Sequence, residues 1–227
     1  MALPLYALKM LAPHLKGASV LCLGHPDILA TAQELEALFG VTPTRFCANG
    51  GAHSVERPLV DTQELFGMLG STLDCVDVYA FRGTERIVDL NEPQYLGEYD
   101  VVIDPGTTEH CFNIGQAMMN AANAVKPGGR IYHSPPMTML NHGFYNICPT
   151  MLWDFYEQNG WVIERLEARN GDSCVQIDRA LAWSRKANVA PETSIVCLAR
   201  RRVAEALRYP TQAKYLAMQK HMEKAAA

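Results

Sequence analysis

Acidic residues stand after several of the apolar runs in this 227-residue chain. Asp77, Asp89 and Asp104 each close a strand-like segment, and Asp27 follows the first apolar run, which ends at Gly24. A carboxylate at the end of a strand can accept hydrogen bonds from a ribose diol, an adenine amino group or a cationic amine. These aspartates therefore predict a site for a polar, nucleoside-like or cationic ligand.

A second set of residues is suited to moving a proton. Histidine changes its charge near neutral pH and so can act as a base. His110 follows the strand that ends at Asp104 and stands next to Glu109, whereas His142 lies in the later segment NHGFYN. His110 and His142, with Glu109 as an orienting carboxylate, are the predicted catalytic residues. A purely structural, hydrogen-bonded role stays open for each histidine.

The elements that must position these residues alternate along the chain. Strands are predicted from short apolar runs, and helices from apolar spacing close to 3.6 residues. The predicted strands cover 18–24, 73–80, 85–90, 99–106, 130–136, 161–168 and 193–201, and the predicted helices cover 27–40, 62–70, 111–125 and 149–161. Residues 41–57 are predicted to form a loop. For Asp27, an N-cap role in the first helix is the alternative to ligand contact.

The alternation predicts an α/β fold with a Rossmann-like, doubly wound and mostly parallel sheet. Because residues 169–192 show no convincing crossover helix, the last two strands are predicted to form an antiparallel hairpin with an insertion in its loop. We expect one domain over 1–227, with an N-terminal helical segment over 1–17 and a C-terminal helical tail over 203–227. Ligands of such sheets bind at the carboxyl ends of the strands, where the acidic residues stand.

Composition narrows the possible partners. Hydrophobic residues make up 48% of the chain, charged residues 19%, and the net charge is −4. These values argue against a disordered chain and against a globally basic nucleic-acid-binding protein. No apolar run approaches the roughly 20 residues that span a bilayer, and the N-terminus does not resemble a signal peptide. We therefore expect a cytoplasmic protein that binds neither nucleic acid nor a membrane; whether it forms a homodimer stays open.

The seven cysteines predict no metal site. They are spread over the chain and include no CxxC pair, so the spacing offers no zinc cluster. Reduced thiols in a cytoplasmic protein are the simpler expectation. A divalent-metal site near Asp104, Glu109 and His110 lacks a further ligand pair in the sequence, and no metal is expected.

Taken in order, several segments resemble a known family. VLCLG, the acidic end of the second strand, IVDLNEP, YDVVIDPGTTEHCFN and VKPGGRIYH are similar to the successive motifs of class I S-adenosylmethionine-dependent methyltransferases. The stretch PGTTEHCFN, together with NHGFYNICPTMLWDFYEQNGW, also resembles a bacterial methyltransferase group associated with sugar or natural-product pathways. The resemblance covers roughly residues 18–168. It departs from the family in the first loop, where Gly24 stands without the further glycines usual there.

The resemblance implies a cofactor, S-adenosylmethionine, and a role for each matching position. Leu23 and Gly24 would contact its methionine part, and Asp27 its amino end. Asp77 would bind the ribose hydroxyls. The remaining implied contacts are Asp89 and Leu90 at the adenine, and Asp104 and Gly106 near the sulfonium.

The implied function is transfer of a methyl group from S-adenosylmethionine to an oxygen or nitrogen of a small molecule, such as a sugar or natural-product intermediate. Two alternatives stay open. One is a non-catalytic cofactor-binding protein of the same fold. The other, less favoured, is an NAD(P)-dependent oxidoreductase, because the Gly-x-Gly-x-x-Gly loop of that class is absent after the first strand.

Overall fold

A mostly parallel sheet of eight strands organises the protein in the computed structural model, which describes residues 1–47, 57–179 and 189–226. In chain order its strands are β2 (Ser19–Leu23), β6 (Thr72–Asp77), β7 (Arg86–Ile87), β8 (Tyr99–Asp104), β9 (Val125–His133), β10 (Val162–Asn170), β11 (Ser173–Gln176) and β12 (Ser194–Arg200). The spatial order is β7-β6-β2-β8-β9-β12-β10-β11. The first five are parallel neighbours, whereas β12 runs antiparallel to both β9 and β10. This order confirms the predicted Rossmann-like fold and its antiparallel end.

Six helices accompany the sheet in the described ranges. They are α1 (Leu5–Leu15), α2 (Ala32–Phe39), α3 (Thr62–Met68), α4 (Ile114–Asn123), α5 (Pro149–Gln158) and α6 (Ala213–Ala226). None of the helices within these ranges combines the length and hydropathy needed to cross a bilayer.

Helices cover both faces of the sheet, and β2 shows why. Val20 and Cys22 point into a core shared with α1, α2 and α3, whereas Leu21 and Leu23 point into a core shared with α4 and α5. Successive side chains of a strand point to opposite faces, so an unbroken apolar run is what a strand buried on both sides requires.

A second, small sheet explains why the first predicted helix begins late. Its strands are β1 (Ala2–Leu3), β3 (Asp27–Ile28), β4 (Phe46–Cys47) and β5 (Leu59–Val60), in the order β1-β3-β5-β4. Because Asp27 belongs to β3, it does not cap α2. The cap is Thr31, whose hydroxyl accepts the Glu34 N–H while the Glu34 carboxylate accepts the Thr31 N–H. Of the predicted loop over 41–57, residues 48–56 lie outside the described ranges.

The end of the chain is less helical than its composition indicates. The predicted hairpin insertion contains β11, which pairs with β10, and residues 180–188 lie outside the described ranges. Residues 201–212 have no regular secondary structure, and the helix of the tail covers only Ala213–Ala226. Arg201 anchors this irregular stretch from a buried position by donating to the carbonyl of Val125 at 2.7 Å.

A buried polar network joins β8, β9 and α5. The Asp104 carboxylate lies 2.7 Å from Nδ1 of His133, and Nε2 of His133 forms a short hydrogen bond with the Tyr156 hydroxyl. All three side chains are buried. The network is fully paired when His133 donates through Nδ1 and accepts from Tyr156 through Nε2. It fixes the end of β8, where the loop of the predicted catalytic residues begins.

Replacing Tyr156 with Phe tests the energetic weight of this network. Tyr156→Phe removes the hydroxyl and leaves Nε2 of His133 buried without its partner, which costs about 1–3 kcal/mol. We expect a loss of that size in the free energy of unfolding, measured by urea titration. Tyr95→Phe is the control, because Tyr95 is 85% exposed and its loss has little effect. Equal stability of the two variants would contradict the assignment.

Candidate functional site

The loops that follow the parallel strands are tied together at one edge of the sheet. The N–H of Gly24 donates to the carbonyl of Val76 at 2.6 Å, and the N–H of Ser134 donates to the carbonyl of Asp104 at 2.9 Å. The Thr107 hydroxyl donates to the carbonyl of Leu23. The predicted site residues after β2, β6, β8 and β9 therefore border a common edge.

Gly24 and Asp77 form a corner at this edge. Gly24 has a φ of +79°, a conformation that side chains rarely adopt, and a Cβ atom there would lie 3.3 Å from Oδ2 of Asp77. Oδ1 of Asp77 accepts the N–H of Val78 at 2.7 Å. The second carboxylate oxygen thus faces the bare backbone of Gly24, where a ligand can approach closely.

The side chain of Met1 lies over this corner. Its terminal methyl group occupies the space that a Cβ of Gly24 would need, and its sulfur contacts the Thr107 hydroxyl. The Met1 carbonyl accepts the N–H of Asp27 at 2.9 Å. Any ligand that reaches Gly24 must therefore turn the Met1 side chain aside.

The other predicted cofactor residues have different surroundings. Asp27 is buried and is held by the guanidinium of Arg82 at 2.6 Å. Asp89 is exposed, and hydrogen bonds from the backbone and side chain of Asn91 lower its pKa. Leu23 is a fully buried core residue. Leu90 is also buried, and its carbonyl accepts the side-chain amide of Asn120 at 3.0 Å.

Asp104 is occupied entirely by internal partners. Besides His133, it accepts the N–H of Thr107 at 2.8 Å and the hydroxyl of Thr108 at 2.7 Å. Burial acts to raise the pKa of Asp104, but the hydrogen bonds and the nearby His133 outweigh it and lower the pKa below its usual value. Asp104 therefore positions the loop of residues 105–110 and has no free oxygen for a ligand.

Glu109, His110 and His142 form the second part of the site. Oε1 of Glu109 lies 3.8 Å from Nε2 of His110 and 3.6 Å from Nε2 of His142. Both distances suit an ion pair but exceed a hydrogen bond, and neither Glu109 oxygen has a hydrogen-bond partner among the described residues. Adjacent residues on a helix normally point in different directions. Glu109 and His110 belong to a short 3-10 turn over Thr108–His110, and there their side chains lie close together.

Burial sets the acid–base properties of this cluster. Glu109 is fully buried, and burial, followed by the negative charge of Asp104, raises its pKa to about 8. Burial and then the neighbouring His142 lower the pKa of His110. The cluster therefore holds a carboxylic acid that stays protonated near neutral pH, facing two half-exposed imidazoles.

Two glycines leave room for this arrangement. A Cβ on Gly106, whose φ is +106°, would lie 3.0 Å from Oε1 of Glu109. A Cβ on Gly143 would lie 3.0 Å from the Glu109 backbone oxygen and 3.2 Å from Nδ1 of His110. Gly143 thus allows its loop to approach Glu109, and the N–H of Phe144 donates to that same backbone oxygen.

A cleft of about 390 Å³ opens beside the cluster. Its lining residues are Met1, Ala2, Pro4, Tyr6, Leu29, Pro105, Gly106, Glu109, His110, Ser134, Pro136, Met139, His142 and Ser194. Met1 also lies over Gly24, so the cleft continues toward the Gly24–Asp77 corner. Nearby, Phe112 and Phe144 expose most of their rings, which meet edge to face at 5.6 Å.

A second cavity, of about 400 Å³, lies between the β10–β11 hairpin and the loop after β9. Apolar groups such as Met137, Val175 and Ile177 dominate its lining, and none of the predicted site residues contributes to it. The chemistry-bearing groups therefore belong to the first cleft.

Sequence reasoning placed Gly24, Asp77, Gly106, Glu109, His110 and His142 at one edge, and the structure brings them there. It assigned no role to Met1 or Thr107, which join the two parts of the site. It also missed Gly143, although the segment NHGFYN contained a signal, since a glycine next to a histidine permits close backbone approach.

Comparisons with known proteins yield similarity of structure only. No protein-family model and no curated protein sequence matches the chain. Among solved structures, TehB from Haemophilus influenzae is 14% identical with a TM-score of 0.49, over 86% of this chain and 60% of that protein. This chain therefore spans less than two thirds of the length of the TehB chain.

Two further solved structures are methyltransferases with S-adenosylhomocysteine bound. The 1,6-didemethyltoxoflavin-N1-methyltransferase of Burkholderia thailandensis is 15% identical, with a TM-score of 0.47, over 88% of this chain and 78% of that one. The N-methyltransferase NodS of Bradyrhizobium japonicum is 10% identical, with a TM-score of 0.44, over 86% of each chain. At these values, the fold assignment rests on the strand order itself.

The raised pKa of Glu109 has a consequence for stability. In the unfolded chain Glu109 ionises near its usual pKa, whereas in the folded protein it keeps its proton up to about pH 8. Its contribution to stability is therefore complete below the unfolded pKa and is lost as the pH rises through the folded value. Glu109→Gln removes this titration without changing the shape of the side chain.

We expect wild type and Glu109→Gln to have similar free energies of unfolding near pH 5. Near pH 8.5 we expect Glu109→Gln to be more stable than wild type by about 1–3 kcal/mol. Urea titration with a metal chelator present measures the difference. Glu36→Gln, on the exposed side of α2, is the control. Parallel pH profiles of wild type and Glu109→Gln would show that Glu109 titrates normally.

Proposed function

We propose that the protein transfers a methyl group from S-adenosylmethionine to a small molecule. One observation carries the proposal: the Gly24–Asp77 corner and the Glu109–His110–His142 cluster border the same edge of the sheet. Thr107 connects them, because its hydroxyl reaches the Leu23 carbonyl while its loop continues directly into Glu109. A donor in the corner and an acceptor in the cleft would thus be neighbours.

The corner fits the proposed cofactor in two respects. Oδ2 of Asp77 is available to a ribose diol, and the backbone of Gly24 is bare enough for close approach. The space over Gly24 also accommodates a thioether, since the Met1 side chain lies there. We infer that Gly24, Asp77 and Gly106 contact the cofactor, with exposed Asp89 and the backbone of Leu90 on its adenine side.

Asp27 and Asp104 have a different role in this proposal from the one the resemblance implies. Arg82 holds Asp27, and three internal donors hold Asp104. We infer that they position the loops around the cofactor. Leu23 contributes through its backbone, whose carbonyl binds Thr107.

When bound, the cofactor supplies a methyl group on a positively charged sulfur. The protein must then align the acceptor atom with that methyl group and take up the acceptor's proton. His110 and His142 reach the cleft with their side chains half exposed. We infer that one of these two imidazoles is the base that takes up the proton, as the sequence predicts.

The cleft suits a small acceptor. Its volume of about 390 Å³ lies in the range of small-molecule pockets. The exposed Phe112 and Phe144 offer apolar surface two positions along the chain from His110 and His142. A sugar or natural-product intermediate remains the predicted substrate class. The cytoplasmic location, the lack of nucleic-acid and membrane partners, and homodimer formation stay predictions from the sequence.

Binding of S-adenosylhomocysteine tests the cofactor half of the proposal. By isothermal titration calorimetry we expect Gly24→Val to abolish binding, because a side chain there fills the approach to the backbone and is strained at a φ of +79°. Asp77→Ala should weaken binding by about tenfold, the loss of a hydrogen bond to a charged group.

Asp74→Ala is the matched control, since Asp74 lies on the same strand but pairs with Arg86 and Tyr99. We expect it to bind S-adenosylhomocysteine as the wild type does. Absence of binding at millimolar ligand would refute the proposal, and binding of NAD⁺ or NADP⁺ instead would favour an oxidoreductase. Cofactor binding without turnover on any of a panel of hydroxyl and amine acceptors would favour the non-catalytic alternative.

A further inference from the structure

We propose that Glu109, His110 and His142 bind a divalent first-row transition-metal ion, represented by Zn²⁺. One carboxylate and two imidazoles converge on one point of the cleft wall. The sequence alone predicts no metal here, because it offers no further ligand pair beside Asp104, Glu109 and His110; the structure adds His142 to Glu109 and His110.

The spacing of the donor atoms suits such an ion. The two Glu109–His separations are 3.6 and 3.8 Å, and the three ligand atoms lie within 4.8 Å of one another. Tetrahedral ligands about 2.1 Å from zinc are separated by about 3.4 Å. Small side-chain movements would therefore bring all three atoms to bonding distance, and the half-exposed histidines are free to make them.

The buried carboxylate is the second, independent observation. Glu109 is fully buried, it faces both imidazoles, and neither of its oxygens has a hydrogen-bond partner among the described residues. Buried polar groups are nearly always paired, and an exception calls for a bound ion or water or for a functional role. A cation between Glu109 and the imidazoles would satisfy this carboxylate without moving the backbone.

The donor set selects the class of ion. Two imidazole nitrogens with one carboxylate suit Zn²⁺ or Fe²⁺, whereas Mg²⁺ and Ca²⁺ prefer oxygen ligands. Three protein ligands also leave a coordination position open, as in catalytic sites. Because His110 and His142 line the cleft, this open position faces the space of the proposed acceptor.

A metal ion at this site would limit which chemical group of the substrate accepts the methyl group; this step rests on the proposed function. A hydroxyl group bound to the ion gives up its proton more readily, so the proton leaves to water. The resulting oxygen forms the new bond to the methyl carbon while the carbon–sulfur bond breaks and its electron pair returns to sulfur. The ion therefore favours hydroxyl acceptors. An amine nitrogen has a single lone pair, and once this pair is bound to the ion it cannot attack the methyl group.

Direct metal binding tests the site without reference to methyl transfer. Chelator-treated protein is titrated with Zn²⁺ by calorimetry and with Co²⁺ by visible absorption, since Co²⁺ reports its ligands and geometry. We expect one ion per chain, with a Co²⁺ spectrum of nitrogen and oxygen ligands. His142→Ala and Glu109→Gln should each weaken Zn²⁺ binding at least about tenfold.

Two controls separate this site from other zinc ligands. His221→Ala removes an exposed histidine of α6, and a Cys148→Ser/Cys174→Ser double variant removes the two exposed thiols. Both should bind Zn²⁺ as the wild type does. Thermal unfolding of each metal-free variant shows whether it is folded, and His142→Ala, at a half-exposed position, is expected to remain so.

Three outcomes would overturn the proposal: no stoichiometric Zn²⁺ or Co²⁺ binding, binding that disappears with the cysteines but persists in His142→Ala, or equal affinity for Mg²⁺ and Zn²⁺. S-adenosylhomocysteine binding is measured separately on the same samples. Metal binding without cofactor binding would thus refute only the proposed function, and the reverse result would refute only the metal site.

Discussion

The buried carboxylate of Asp104 is the constraint on which the site depends. It ends a strand buried on both faces, where an unpaired charge would be costly, and it is held by His133 from the next strand and by Thr107 and Thr108 from its own loop. These bonds turn the chain sharply after β8. The turn places Thr107 against the end of β2 and directs Glu109 into the cleft wall. Six residues, 104–109, thus connect the buried network to the Glu109–His110–His142 cluster.

The negative charge of Asp104 also influences the chemistry beside it. It opposes ionisation of Glu109, which is already disfavoured by burial. The two carboxylates therefore differ: Asp104 is charged and accepts several hydrogen bonds, whereas Glu109 keeps its proton near neutral pH and has no hydrogen-bond partner among the described residues. The second is the group that an approaching cation or substrate encounters.

Much of the fold could be predicted from the sequence, because apolar runs and helical spacing report burial directly. Strands β2 and β8 were recognised from VLCLG and YDVVID, whose continuous apolar character reflects two covered faces. The start of α2 could not be predicted, since Asp27 and Ile28 form a strand by pairing with distant residues, at the chain start and at Val60 of β5. Likewise, composition favoured a helical tail after Val203, but Arg201 and its backbone partners hold the first part of it in an irregular path.

For the site, the sequence indicated which residues border the sheet edge but not which of them are free. Asp27, Asp77, Asp89 and Asp104 look alike as strand-end aspartates, yet Arg82 binds one and the internal network binds another. His133 lies 29 positions from Asp104, and Arg82 lies 55 positions from Asp27. Partners so far along the chain leave no local sequence pattern that distinguishes a carboxylate that positions a loop from one that binds a ligand. The meeting of Glu109 with His142 has the same origin, because it depends on how closely two loops pack at Gly143.

The two parts of the site come from separate stretches of the chain. The Gly24–Asp77 corner is built from residues before Val78, whereas the Glu109–His110–His142 cluster follows Asp104; the chain start and the later loops line the cleft together. Mutations in the later stretch can reshape the cleft while leaving Gly24 and Asp77 untouched. Such a layout allows the cluster to diversify under selection while Gly24 and Asp77 are inherited unchanged, so one contiguous portion of the gene, after Asp104, can alter the acid–base groups of the site.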